Sequence, residues 1–121
     1  MINIEVDEAY AFDYLAILYV KMSDNPTDQN NKNYENAYNK LLKQLDALDA
    51  ILNTREYEDL VTANRILFEV IEHIRKEGSM ENYMMSAVQL DNLNTDRWKA
   101  KKALQAKYFT SAPTEVKTLN E

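Results

Sequence analysis

Residues 9–20 of this 121-residue chain read AYAFDYLAILYV, and eleven of these twelve residues are apolar or aromatic. A helix that packs on a core with one face has an apolar stripe and a polar back. This stretch has almost no polar back, so a helix here must be covered on nearly all sides, by its own chain or by a second copy. The run therefore predicts a strongly apolar first helix, at about residues 6–22, and a homodimer. The side chains expected in self-association are Tyr10, Phe12, Tyr14, Leu15, Leu18 and Tyr19.

Asp13 is the exception in the apolar run. We expect its side chain to lie at the bundle surface or to cap an interface by hydrogen bonding. In the alternative interpretation Asp13 is buried, and burial raises the pKa of a carboxylate as in many general acids and bases. Asp13 is thus the candidate catalytic residue of an enzyme, or of a small-ligand binder with an acidic site inside the bundle. The tyrosines expected around such a site are Tyr10, Tyr14, Tyr34 and Tyr38.

The composition favours one all-α domain. The chain has one Gly, two Pro and no Cys. Folds built from strands need many tight turns, which Gly and Pro supply, whereas a scarcity of both is typical of long helices. The absence of Cys removes disulfides and thiolate metal sites and fits a reducing compartment. The apolar run follows acidic residues and is shorter than the about 20 residues that span a bilayer, so we expect a cytoplasmic protein without a membrane partner.

Apolar spacing and capping residues predict the remaining helices. A heptad seam predicts a second helix at about 32–52, and Asn53-Thr54 precedes a third at about 55–77. Gly78 is expected to end the third helix, and Ser79 to begin a fourth. Capping residues recur near 92–96, so the chain either breaks there before a fifth helix that ends at Phe109 or continues as one long helix, and we favour the break. The prediction is an up-and-down bundle of four to five helices over residues 1–109, followed by a flexible tail over 110–121.

The polar groups of the third helix do not predict a metal centre. The single His, His73, is preceded by Glu69 at four residues rather than the three of the bundle di-iron motif. Glu56 and Asp59 have an ExxD spacing, and Glu69 and Glu72 an ExxE spacing, as in small helical pyrophosphatases of the MazG kind. Here their order is reversed and both lie on one helix, which disfavours that family. We expect a solvated acidic face and neither metal nor cofactor, with Asn64 in the apolar seam fixing the helix register.

The last helix combines basic and aromatic residues, while the chain as a whole carries a net charge of −6. Charge is divided along the sequence, −5 over residues 1–30 and +3 over 95–121. Leu104, with Trp98 and Tyr108, is expected to pack on the bundle while lysine stems lie along its surface. Alternatively, the segment binds an acidic protein or, less in keeping with the acidic chain, nucleic acid. The partner-binding candidates are Arg97, Trp98, Lys99, Lys101, Lys102, Lys107 and Tyr108.

These observations predict a small, non-enzymatic interaction or assembly protein that self-associates through its apolar helices. The alternatives are the enzyme or ligand binder with a site at Asp13, and nucleic-acid binding through the basic helix. The frequent Asn and Tyr residues are consistent with an AT-rich genome such as many phages carry.

Overall fold

The computed structural model describes residues 1–2, 4–77 and 80–111 of the chain, with side chains described outside 77–86. Within these residues there are five helices and no strand, as predicted for an all-α bundle. The helices are α1 (Glu8–Asp24), α2 (Asp28–Gln44), α3 (Leu48–Leu52), α4 (Arg55–Glu77) and α5 (Met80–Tyr108).

The long helices alternate in direction along the chain. Antiparallel packing of α1 and α5 brings Ala9 to Gln105 and Asp13 to Arg97. Helix α4 is parallel to α1, since Phe12 packs on Tyr57 near one end while Asp24 pairs with Arg65 nearer the other. Helix α2 packs against α1 and has no fully buried residue. The core therefore lies mainly between α1, α4 and α5.

Helix α1 is the centre of this arrangement. It contacts α2, α4 and α5, and its buried residues occupy most of its circumference. Asp7 caps its start by accepting a hydrogen bond from Tyr10 N at 2.7 Å. A second orphan N–H of the first turn, on Ala9, donates to Gln105 Oε1 of α5 at 2.8 Å. The predicted apolar run is thus covered very largely by its own chain.

Helix α4 confirms its predicted limits and seam. Thr54 Oγ1 accepts from Tyr57 N at 3.3 Å as its cap, and Tyr57, Leu60 and Leu67 are buried. The exposed acids of its outer face are also as predicted, and Arg65 of this helix pairs with Asp24 of α1. The predicted roles of Gly78 and Ser79 in ending one helix and starting the next lie outside the described residues.

Two predicted boundaries are wrong. The predicted second helix is divided, because Leu45 is extended (φ −142°, ψ 103°) and the chain turns before α3. That turn carries Leu48 and Ile51 into the core, where both are buried. The expected break near 92–96 does not occur, because α5 is one continuous helix and Thr95 Oγ1 donates to the carbonyl of Asp91 within it at 3.1 Å.

The predicted tail begins with an anchored residue. Ser111 Oγ donates to Glu8 Oε1 at 2.7 Å, and its carbonyl accepts from Gln105 Nε2 at 3.1 Å. Partial burial acts to raise the pKa of Glu8, but the hydrogen bonds from Ser111 and Gln105 outweigh it and hold that pKa below its usual value. Residues 112–121 of the predicted tail lie outside the described residues.

Candidate functional site

Asp13 is buried in the bundle rather than placed at its surface, which corrects one of the two expectations from sequence, and it accepts hydrogen bonds from other helices, in agreement with the second. It is 4% exposed. Arg97 Nε of α5 donates to its two carboxylate oxygens at 3.0 and 3.1 Å, and Arg97 Nη2 also contacts Oδ2. Asn64 Nδ2 of α4 donates to Oδ1 at 2.9 Å, and Lys101 Nζ lies 3.9 Å from Oδ2. One carboxylate therefore joins three helices.

The side chains of this polar cluster are hydrogen-bonded to one another rather than arranged to bind a substrate. Both oxygens of Asp13 already accept hydrogen bonds, and a general base needs a free acceptor within reach of a proton. Asn64 also donates to the Leu60 carbonyl at 3.0 Å, so both of its amide hydrogens are used. The Asn64 Oδ1 atom is buried without a hydrogen-bond partner. The cluster is best explained as a set of contacts that fixes how α1 packs on α4 and α5.

The tyrosines of the alternative interpretation do not surround Asp13. Tyr10 and Tyr14 are exposed on the outer side of α1. Tyr34 and Tyr38 lie on α2, where their rings stack with centroids 6.3 Å apart, and Tyr34 also contacts Tyr19 of α1 at 5.9 Å. The predicted constellation is therefore split between two separate surfaces of the molecule.

Tyr57 was not predicted as a site residue, although among the described tyrosines its side chain is the one buried in the core. Burial raises the pKa of its phenol well above the usual value, and the nearby Tyr34, Tyr19 and Asp13 raise it further. Its hydroxyl is buried without a hydrogen-bond partner. A neutral phenol held in this way is a packing group rather than a proton donor near neutral pH.

A cleft of about 490 Å³ lies about 10 Å along α1 from Asp13, given the helical rise of 1.5 Å per residue. Val20, Phe68 and Ile71 line it, and its rim carries the opposite charges of Arg75 and Glu72. Because the charged side chains at the rim are of both signs, the cleft does not indicate one class of ligand. The described residues contain no group of three His, Cys, Asp or Glu side chains that could hold a metal ion, and His73 is exposed.

The basic helix α5 divides its cations between the core and the surface. Arg97 and Lys101, two of the candidates for partner binding, bind Asp13 within the chain. Lys107 pairs with Glu56 of α4, which also accepts from the Tyr108 hydroxyl at 3.1 Å. The remaining candidates, Lys99 and Lys102, are exposed, and Lys102 Nζ lies 5.0 Å from the ring of the half-buried Trp98.

The self-association candidates separate into two groups. Phe12, Leu15 and Leu18 are buried within the single chain, so they are unavailable to a second copy. Tyr10 and Tyr14 remain 47% and 54% exposed. Tyr19 is 37% exposed but packs on Tyr34.

A further apolar group precedes α1 and was missed in the sequence. Ile2 is 91% exposed, Ile4 74% and Val6 36%, and the described residues before α1 form neither helix nor strand. We call Ile2, Ile4 and Val6 the apolar arm, and the arm together with Tyr10 and Tyr14 the N-terminal apolar surface. The signal that could have revealed it is the alternation of β-branched residues at positions 2, 4 and 6.

Comparison of the chain with protein-family models, with curated proteins and with solved structures gives no match. None of the described helices has the length and apolar character needed to cross a membrane.

Proposed function

We propose that this protein is a small, non-enzymatic assembly protein that self-associates through the N-terminal apolar surface. The observation that carries the proposal is the exposure of Tyr10 and Tyr14 on a helix whose other aromatic and aliphatic side chains are mostly buried. They are one helical turn apart, and side chains four residues apart lie on the same face.

The chemistry of this surface suits a protein interface. Contiguous exposed apolar patches are uncommon on monomeric proteins and mark interaction sites. Tyrosine is enriched at interfaces because its ring is apolar while its hydroxyl remains satisfied by water or by a polar rim. The adjacent arm adds Ile2 and Ile4, two large aliphatic side chains that are almost fully exposed.

A second copy is the simplest partner for this surface, because a two-fold axis places the same patch on both sides of an interface. Asp7 and Glu8 are engaged within the chain, Asp7 with Tyr10 N and Glu8 with Ser111 and Gln105. These neutral donors hold the two carboxylates in place but do not neutralise them, so with Glu5 they leave like charge on both copies that the apolar contacts must outweigh. The cytoplasm is the compartment of this proposal, because a chain without Cys fits a reducing environment.

Light scattering after size exclusion, over a series of protein concentrations, tests the proposal. The unmodified chain is expected to show a dimer that dissociates on dilution. Replacing Tyr10→Gln and Tyr14→Gln together should raise the dissociation constant at least about tenfold, since truncating central interface residues costs more than about 1 kcal/mol each. The control is Leu42→Gln, which removes an exposed apolar side chain from α2. A monomer at every concentration, or equal effects of the control, would contradict the proposal.

A further inference from the structure

The apolar arm has the pattern of a β-strand in a protein whose described residues contain no strand. Successive side chains of a strand point to opposite faces, so residues 2, 4 and 6 share one face. All three residues of the arm are β-branched, which is typical of strands. Asp7, where the arm joins α1, has an extended backbone (φ −67°, ψ 165°).

The apolar arm does not pair with another strand within the described part of its own chain. Ile2 and Ile4 are nearly fully exposed, so their apolar face does not fold back onto α1. The main-chain groups of an unpaired strand form hydrogen bonds readily with another chain. The described part of the chain offers no sheet edge to receive them.

We propose that the arms of two copies pair as an antiparallel two-stranded ribbon across the dimer axis, with Ile4 of one copy opposite Ile4 of the other. This inference rests on the proposed self-association and specifies its geometry. A two-stranded ribbon is only marginally stable in water unless its apolar face packs on another element. Tyr10 and Tyr14, in the first two turns of the helix that follows each arm, supply that cover.

The sequence selects this register over its neighbours. With Ile4 on the axis, Ile2 of each copy lies opposite Val6 of the other, and all apolar side chains occupy one face. Moving the axis to Glu5 would place two carboxylates directly opposite each other, which destabilises a strand pair. Moving the axis one residue towards the N-terminus would leave Val6 with no residue opposite it. Placing the axis between two residues would set apolar side chains opposite polar ones.

Cysteine cross-linking tests the register, because the unmodified chain has no Cys. In Ile4→Cys the two new thiols would face each other with Cβ atoms about 5 Å apart, within reach of a disulfide. In the matched control Glu5→Cys the thiols point to the other face and are offset along the ribbon. At a protein concentration where the dimer prevails, and with oxidised glutathione as the oxidant, Ile4→Cys should form a disulfide-linked dimer at least about tenfold faster than Glu5→Cys, because dimerisation brings both pairs of thiols together but only the pair at position 4 faces each other within disulfide reach.

Hydrogen exchange on the unmodified chain provides a second measurement that does not depend on a variant. Only alternate amides of a two-stranded ribbon bond across it, so either the amides of Ile4 and Val6 or the amide of Glu5 should gain protection as the protein concentration rises through the dissociation constant. Asn25 and Thr27, whose amides in the turn between α1 and α2 already donate within the chain, should show no such change.

The outcomes separate this inference from the proposed function. Fast cross-linking of Ile4→Cys alone, with concentration-dependent protection, supports the ribbon. Equal cross-linking of both variants would mean that unstructured arms collide, and would overturn it. A dimer that is weakened by the tyrosine substitutions, but shows neither cross-linking nor protection, would overturn the ribbon and leave the proposed function standing. A chain that stays monomeric overturns both.

Discussion

Replacing Asp13→Asn should destabilise the protein strongly, although it changes one atom of the side chain. The substitution removes the negative charge that faces Arg97 and Lys101, whose side chains are 27% and 8% exposed. Breaking a buried ion pair by removing one partner typically costs about 3–5 kcal/mol, because the other charge is left in a poorly solvated place. Arg97 can regain some water, so we expect a loss near the lower end, about 3 kcal/mol.

Urea denaturation followed by circular dichroism measures this loss as a fall in midpoint at an unchanged slope. Arg97→Gln should cost less, about 1–2 kcal/mol, since its partner retains hydrogen bonds from Asn64 and the nearby Lys101 ammonium. The double variant should then cost less than the sum of the two single variants by about 0.5–3 kcal/mol, as expected for residues in contact.

The matched control is Asp24→Asn. Asp24 lies 3.5 Å from Arg65 Nε, but these side chains are 48% and 36% exposed. Exposed ion pairs contribute about 0–1 kcal/mol, so this substitution should be close to neutral. If Asp13→Asn costs no more than Asp24→Asn, the carboxylate of Asp13 does not hold the three helices together, and the assignment of a structural role fails. A loss of about 3 kcal/mol is a large part of the total stability of a domain, about 5–15 kcal/mol, so it is easily distinguished from a nearly neutral change.

Three further predictions test other parts of the fold. Tyr57→Phe should leave stability unchanged or raise it by up to about 1 kcal/mol in urea denaturation, because the hydroxyl is buried without a partner; a clear loss would mean that the hydroxyl is hydrogen-bonded. Asn94→Pro should cost about 3 kcal/mol and Asn94→Ala almost nothing, because α5 is continuous there; a tolerated proline would indicate a break. The hydrogen bond from Lys107 lowers the pKa of the Glu56 carboxyl group in the folded protein. The stability that this hydrogen bond contributes is therefore present above the unfolded-chain pKa of about 4.3 and is lost as pH falls through the lower folded-state pKa. Glu56→Gln should therefore flatten the acid side of the curve of melting temperature against pH relative to Glu58→Gln, and equal slopes would contradict this.

Helix α4 was predictable because every local signal agreed. Its seam, its capping Thr54 and its basic last turn all indicate the same limits. The division between α2 and α3 was not predictable, because the heptad spacing continues across it and Leu45-Asp46-Ala47 contains neither Gly nor Pro. Tertiary packing decides this break, since the turn is what inserts Leu48 into the core.

The opposite error occurred in α5. Asn92, Asn94 and Thr95 are good capping residues, and they favour a helix boundary when only local sequence is considered. On an exposed or half-exposed helix face the same side chains are tolerated, and Thr95 satisfies its hydroxyl by bonding the carbonyl of Asp91. Capping residues therefore indicate where a helix can begin, and packing against α4 determines that this one continues.

The partners of Asp13 escaped prediction for a related reason. Arg97 and Lys101 occur in a run of bases that is typical of a solvated surface, and nothing local separates them from Lys99 and Lys102. Their four-residue spacing, shared with Gln105, is the only sequence sign that they lie on one face. Asn64 was more informative, because a single amide in an apolar seam already indicated a polar contact that fixes register.

The rotation of α1 about its axis determines both the burial of Asp13 and the exposure of Tyr10 and Tyr14. Asp13 and Val20 are seven residues apart and so share a face, and both are buried. Tyr10 and Tyr14 lie about 60° and 100° around the helix from Asp13, on a side where both are exposed. A rotation that brought Asp13 to solvent would also expose Val20 and turn both tyrosines towards α2. Arg97 and Asn64 oppose that rotation by holding the carboxylate inside. An apolar run that could be buried in several orientations is thereby fixed in the one that leaves Tyr10 and Tyr14 exposed.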